Sequence, residues 1–202
     1  VEAPPAPPPL ALADSDPPVR ASLEAAGSAD MYTALLANSD LIQRGTGVID
    51  GLSRGLVLNK ILPMAPPTGK FKTLELSGQT VLDPAGYSRY DAHAQMVAEL
   101  DMSQLVSTFH SFRPLLEEAY TQLGYEGEDF DNALIRALDE ILATPEIRDE
   151  IALKKKEAVY LFADPELEAL SPLQKQLMRM GPDNIALIKG QAGALRAGLL
   201  NR

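Results

Sequence analysis

Cysteine is absent from all 202 residues of the chain. Its absence excludes disulfide bonds, thiolate zinc sites, iron–sulfur clusters and a cysteine nucleophile. It does not fix the compartment, because a chain without cysteine suits the periplasm and the cytoplasm equally well. Tryptophan is absent too, and aromatic residues make up only 5 % of the chain, which argues against a binding platform for sugars.

Long apolar runs are also lacking. No run approaches the ~18 residues that a membrane-spanning helix requires, and the chain does not begin with the basic and apolar regions of a signal peptide. The first residues are Val1 and Glu2, without an initiator methionine. We interpret the sequence as trimmed or processed and expect an anchor or signal segment upstream of it.

Positive charge is scarce. The 18 lysines and arginines are outnumbered by 28 aspartates and glutamates, which gives a formal net charge of −10. Such a surface repels phosphate groups, so nucleic acids and anionic membrane surfaces are disfavoured as partners. The hydrophobic fraction of 46 % is ordinary and is sufficient for a globular core.

Proline is concentrated at the start of the chain. Residues 1–18 contain seven prolines, and such a run favours the extended polyproline II conformation of a semi-rigid spacer. Pro4 and Pro7 also fit the PxxP pattern of SH3 ligands, but no basic residue flanks them, so we favour a plain stalk. We predict a proline-rich stalk over residues 1–14 and a single, mostly helical domain over residues 15–202.

The pattern of the domain predicts a mainly α, multi-helix fold. Apolar residues recur every three or four positions along most of it, which is typical of helices packed on a core. Many predicted helices begin at a capping residue that is followed by proline, a favourable first helical residue. These starts are Asp16-Pro17, Asp83-Pro84, Asp164-Pro165, Ser171-Pro172 and Gly181-Pro182. Further helices are predicted over residues 30–37, from 41 to about 56, and after Asp129.

Two of the later helices carry distinctive patterns. An apolar stripe runs from Leu105 to Leu123, and Pro114 within it should kink or break that helix. The final helix carries an apolar seam in strict three- and four-residue spacing, formed by Ile185, Ile188, Ala192, Leu195 and Leu199. We predict that this seam receives one partner helix.

Three glycines recur every four residues in the predicted third helix, at Gly47, Gly51 and Gly55. Each costs ~1 kcal/mol of helix propensity, so a compensating contact is expected. We favour close packing of this ridge against a neighbouring helix of the same domain. A surface for ligand approach and self-association of the chain are the alternatives.

Strand signals are rare. Residues 71–76 alternate apolar and polar, Ser77-Gly78 provides a turn, and residues 80–82 resume the pattern, so we predict one small β-hairpin. Residues 151–162 are ambiguous, because apolar residues at both ends flank Lys154-Lys155-Lys156. We expect short extended segments there.

Motifs for catalysis or cofactor binding are lacking. The sequence contains neither the Gly-x-Ser-x-Gly of serine hydrolases nor a phosphate-binding loop. We interpret His93 and His110 as exposed or core residues and not as metal ligands. An acidic cluster over residues 126–131 suits a helix start and lacks the spacing of a calcium loop. We therefore predict no catalytic residue, no metal and no cofactor.

Arginines beside tyrosines are the best candidates for ligand binding. An arginine fork can bind carboxylates or an anionic ligand, and Tyr87, Arg89 and Tyr90 form the densest such group. Arg113 and Arg44 are further candidates, since both lie in predicted helices that bear apolar residues. A small polar pocket, if present, is expected near Tyr87. Structural ion pairs are the simpler alternative for these arginines.

Several stretches carry a resemblance to known sequences. They are Val48-Ile49-Asp50-Gly51-Leu52, Tyr87-Ser88-Arg89-Tyr90, Ala163-Asp164-Pro165-Glu166-Leu167-Glu168 and, most specific, the run from Gln174 to Asn184. Because of these stretches, the chain resembles a family of Gram-negative proteins that is catalogued only as a domain of unknown function. The resemblance implies an N-terminal membrane anchor, a proline-rich spacer and a helical periplasmic domain tethered to the inner membrane. It implies no activity and no catalytic residues.

Two classes of function are compatible with the sequence. We favour a non-enzymatic periplasmic domain that binds an envelope protein or a cell-wall component, through the final helix seam or a groove near Tyr87 and Tyr90. Its only contact with the membrane would be an anchor outside this chain. The alternative is a receptor for a small anionic ligand, or a hydrolase-type envelope enzyme, that uses arginine clamps. A deep pocket lined by unpaired guanidinium groups would support that alternative.

Overall fold

The computed structural model describes residues 10–57 and 66–201, and within these ranges the protein is mainly helical, as predicted. Its helices there are α1 (Asp16–Glu24), α2 (Asp30–Leu36), α3 (Leu41–Ser53), α4 (Asp91–Ala98), α5 (Met102–Gln122), α6 (Phe130–Leu142), α7 (Pro165–Glu168), α8 (Pro172–Met178) and α9 (Pro182–Leu200). Its strands there are β1 (Thr73–Leu76), β2 (Gln79–Leu82), β3 (Leu153–Lys156) and β4 (Val159–Phe162). Short 3₁₀ segments, Leu12–Asp14, Pro84–Tyr90 and Gly127–Asp129, precede α1, α4 and α6. Residues 1–9 of the predicted stalk lie outside the described residues.

Side-chain caps are present at three of the five predicted proline-based helix starts. The carboxylates of Asp83 and Asp164 each accept a hydrogen bond of 2.8 Å from the N–H group two residues further on. Ser171 and Gln174 form a reciprocal capping box at the start of α8. Each cap provides a partner for N–H groups that the first turn of a helix leaves unbonded. All five predicted starts are found, and the three capped ones depend only on neighbouring residues.

α9 is in contact with α4, α5 and α6. Ile185 is buried against residues of α4 and α8. Further along the helix, Ala192 and Leu199 are buried with Leu134 and Leu138 of α6. The prediction that the seam of this helix receives one partner helix is therefore wrong. Several helices of the same domain cover it, so it is not available to another protein.

α5 runs through Pro114 without interruption, so of the predicted kink or break, the break is wrong and the kink stays a prediction. Proline has no N–H group and leaves the carbonyl of His110, four residues earlier, without its helical partner. Both Pro114 and His110 are exposed, so water can hydrogen-bond to that carbonyl. On the opposite face, Leu115 and Ala119 are buried in the core, and this packing keeps the helix continuous.

Gly55 lies just beyond the end of α3. The helix was predicted to extend to about Leu56, but it stops at Ser53. The backbone of Gly55 has a φ of +66°, a conformation that glycine adopts readily. The N–H groups of Gly55 and Leu56 donate to the carbonyls of Leu52 and Gly51, at 2.9 Å in both cases. These two bonds form a Schellman motif, which satisfies the carbonyls at a helix C-terminus.

The glycines of α3 do not form one packing surface. A Cβ atom placed on Gly47 would have nothing within 4 Å, whereas one on Gly55 would lie 2.6 Å from the Cβ atom of Ser171. The prediction of close packing is thus wrong at Gly47. Gly55 does make a close approach, but it does so as the end of α3 against the start of α8.

Alanine at these two glycines is expected to have opposite effects on stability. Gly55→Ala should lower the free energy of unfolding by about 2 kcal/mol, because it forces a positive φ on an L-residue and meets Ser171. Gly47→Ala should raise it by up to ~1 kcal/mol, since alanine is the better helix former and has room. Urea unfolding monitored by circular dichroism measures both changes. Destabilisation by Gly47→Ala would restore the idea of a packed ridge.

Two antiparallel hairpins lie beside the helices, where the sequence predicted one hairpin and short extended segments. β1 pairs with β2 so that Leu74 lies opposite Val81, and β3 pairs with β4 so that Leu153 lies opposite Phe162. A bridge between Val81 and Ala152 joins the two hairpins. The extended segments expected over residues 151–162 are therefore the second hairpin.

Glu168 of α7 connects the second hairpin to α8. Its carboxylate accepts a hydrogen bond of 2.9 Å from the N–H group of Phe162 and one of 2.8 Å from the ammonium group of Lys175. The hydrogen bond from Lys175 lowers the pKa of Glu168 below its ordinary value. The charged carboxylate therefore stabilises the fold above its unfolded pKa, and this contribution is lost as the pH falls through the lowered pKa.

Glu168→Gln should remove this pH-dependent contribution. The wild-type protein should exceed the variant in free energy of unfolding by up to about 1 kcal/mol at neutral pH, since the ion pair is partly exposed. The difference should shrink to nearly zero in acid, where Glu168 itself is protonated. Urea titrations across this pH range measure it, with Glu166→Gln on the same helix as a control. A difference that does not vary with pH would contradict the role assigned to the carboxylate.

Candidate functional site

A groove of about 540 Å³ opens between the first hairpin and the start of α9. Its walls are the β1–β2 hairpin, the segment of residues 147–150 and residues 180–184, together with Tyr87 and Asp91. We call this feature the hairpin groove. It includes two residues of the segment 87–91, where a pocket was expected from the sequence.

Gly181 brings the start of α9 against the segment that contains Tyr87. Its φ is +86°, and a Cβ atom on it would lie 2.4 Å from two ring carbons of Tyr87. No residue with a side chain fits at this point of contact. Pro182 follows and begins α9 with a fixed φ, which suits the first helical residue.

Asn184 fixes the same contact through hydrogen bonds. Its buried side-chain amide donates to the carbonyl of Tyr87 at 3.2 Å, to the carboxylate of Asp91 at 3.0 Å and to the carbonyl of Met180 at 2.9 Å. The two amide hydrogens are thus shared among three acceptors. Because buried polar groups need partners, this residue holds one wall of the groove in a defined position.

The hairpin wall of the groove is apolar and partly exposed. Leu74 and Leu76 retain 45 % and 40 % of their accessible surface, and they lie on the same face of β1 because side chains alternate along a strand. Val81 and Leu82 lie deeper and are buried. The groove therefore presents leucine side chains that the described residues do not cover.

Carboxylates surround this apolar wall. Asp91, Asp149, Glu150 and Asp183 line the groove, and Arg148 is the only basic residue among the lining side chains. Arg148 forms an ion pair of 2.9 Å with Asp183, in which both side chains are largely exposed. Four carboxylates against one guanidinium group leave the rim acidic.

The groove offers few groups for chemistry. Its lining contains no histidine, serine, threonine or lysine. Burial, reinforced by the charge of Asp83, raises the pKa of the Tyr87 hydroxyl, so this group stays protonated at neutral pH. The groove combines apolar surface with negative charge, an arrangement that suits binding.

Arg89 and Tyr90 point away from the hairpin groove. Arg89 lines a separate shallow crevice with Lys72 and Arg179, where its Nε–H group donates to the carbonyl of Thr68 at 3.0 Å. Its guanidinium carbon also lies 5.5 Å from the ring centre of Tyr90. Tyr90 belongs to the core. Within the segment 87–91, Asp91 thus lines the groove, Arg89 lines the crevice, and Tyr87 lies between the two and lines both.

Arg113 and Arg44 lie on other surfaces. Arg113 lines a cleft of about 330 Å³ between α5, α6 and the end of α9. It pairs with Asp131 at 2.7 Å and with Glu117 at 2.9 Å, although its Nε–H group is not aligned for a hydrogen bond with Glu117. Arg44 donates from Nε to the carbonyl of Ser39 at 2.7 Å. The five candidate residues are not gathered into one pocket.

Sequence reasoning missed most of the groove. The leucines of β1 were recognised as strand residues but not as a binding surface, and Asn184 was noted only within a run that carried the resemblance. The signal that could have found the wall is the hairpin itself. A two-stranded sheet with apolar residues on one face must bury that face or present it to a partner.

The histidines occupy unrelated positions on α4 and α5. The ring of His93 lies 6.3 Å from that of Tyr90, and the ring of His110 lies edge-on to Phe109 at 5.2 Å. Within residues 10–57 and 66–201, no group of three or more histidine, aspartate or glutamate side chains is arranged to hold a metal ion. In the same part of the chain, no helix is both long and apolar enough to cross a membrane.

Comparison of the chain with protein families gives a match, and the matched residues include the whole hairpin groove. A family model described as a protein of unknown function (DUF3014) matches residues 41–196. The match runs from the start of α3 into the last turns of α9 and leaves α1 and α2 outside. Neither the curated proteins nor the solved structures include a significant match to the chain.

Proposed function

We propose that this chain, which belongs to the DUF3014 family of proteins of unknown function, is a non-enzymatic interaction domain of the cell envelope. Its partner is an envelope protein that binds in the hairpin groove. The proline-rich start of the chain serves as a spacer that holds the domain away from a membrane. The observation that carries the proposal is the half-exposed pair Leu74 and Leu76 at the mouth of a groove with an acidic rim.

The exposed leucines supply a driving force for association. Burying a leucine side chain stabilises a complex by about 1.5–3 kcal/mol when the side chain was fully exposed. Leu74 and Leu76 are roughly half exposed, so covering both contributes about 2 kcal/mol together. Apolar patches of this kind, rimmed by polar residues, are typical of protein-binding sites.

The pairing of the arginines favours this function over an arginine clamp. A clamp needs guanidinium groups that converge on one pocket with free donors. Arg113 is engaged by carboxylates and Arg44 by a backbone carbonyl. Arg89 does share a crevice with Arg179 and Lys72, but that crevice is too shallow to enclose a ligand. An anionic ligand would also meet the acidic rim of the groove.

Photo-crosslinking in the native cells tests the binding function. A photoreactive amino acid at Leu74 should give one defined adduct with an envelope protein. The matched control is Leu123, which is exposed to nearly the same extent, 47 % against 45 %, but lies at the end of α5. An adduct from Leu74 alone supports the groove as the binding site. No adduct, or the same adducts from both positions, would contradict it.

Protease treatment of spheroplasts tests the location. The domain should be digested in intact spheroplasts while a cytoplasmic marker protein survives, because the domain lies outside the inner membrane. Protection of the domain until the cells are lysed would place it in the cytoplasm and overturn the envelope assignment.

A further inference from the structure

We draw no further inference here: the strongest candidate, the outer edge of β1 beside the apolar wall of the hairpin groove, has no strand paired with it within the described residues, and nothing in the structure shows what covers it.

Discussion

Replacing Gly181 with alanine is expected to destabilise the protein by about 3 kcal/mol. The residue has a φ of +86° and a ψ of 158°, a backbone conformation that is adopted almost only by glycine and costs about 1–3 kcal/mol for an L-residue. The new Cβ atom would also lie 2.4 Å from the ring of Tyr87, so the ring or the start of α9 must move. Movement there strains the hydrogen bond from Asn184 to the carbonyl of Tyr87.

Gly190→Ala is the matched control for this change. Gly190 lies inside α9, is exposed, and would have nothing within 4 Å of an added Cβ atom. Alanine there should stabilise the protein by up to ~1 kcal/mol. Urea unfolding measures both variants. Equal effects of the two substitutions would mean that the contact between Gly181 and Tyr87 does not hold the groove wall.

Phe162→Ala is expected to cost about 4 kcal/mol of unfolding free energy. The side chain has no accessible surface and is buried with Leu82 of the first hairpin and Met178 of α8. The guanidinium carbon of Arg179 lies 4.9 Å from the centre of its ring. Removing the ring leaves a cavity where both hairpins meet α8, and Arg179 loses a cation–π contact.

Val159→Ala tests the other end of the same strand. Val159 retains 56 % of its accessible surface, so its truncation should change the free energy of unfolding by no more than about 0.5 kcal/mol. Thermal or urea unfolding of both variants compares the two positions directly. A loss below about 1 kcal/mol for Phe162→Ala would contradict the role of this ring in joining the hairpins to the helices.

The sequence predicted those features that depend on neighbouring residues. Asp83, Asp164 and Ser171 begin helices as expected, since a cap and a proline act within one turn. The Ser77-Gly78 turn likewise forms the expected hairpin. These local signals do not need knowledge of what the rest of the chain contacts.

Features decided by distant contacts were not predictable in this way. Pro114 does not break α5, because packing on the opposite face outweighs the lost hydrogen bond. Gly47 and Gly55 belong to one sequence pattern, yet Gly55 ends α3 and Gly47 is an ordinary helix residue. Repetition in a sequence does not reveal which positions will meet a neighbour.

The candidate site was predicted only at Tyr87 and its surroundings. The contact between Asn184 and Tyr87 joins residues 97 positions apart, and no local pattern encodes it. Arg113 and Arg44 were candidates because of their residue type, and the fold places them on other surfaces. The acidic rim combines Asp91, Asp149 and Asp183 from three separate segments, so only the folded chain shows their common position.

Hydrogen exchange of the backbone amides, measured with and without the crosslinked partner, tests the binding role of the hairpin groove most directly. The amide groups of β1 and of residues 147–150, segments that line the groove, should exchange more slowly in the complex than in the free protein. Protection confined to the cleft of Arg113, or no change anywhere along β1, would contradict the account.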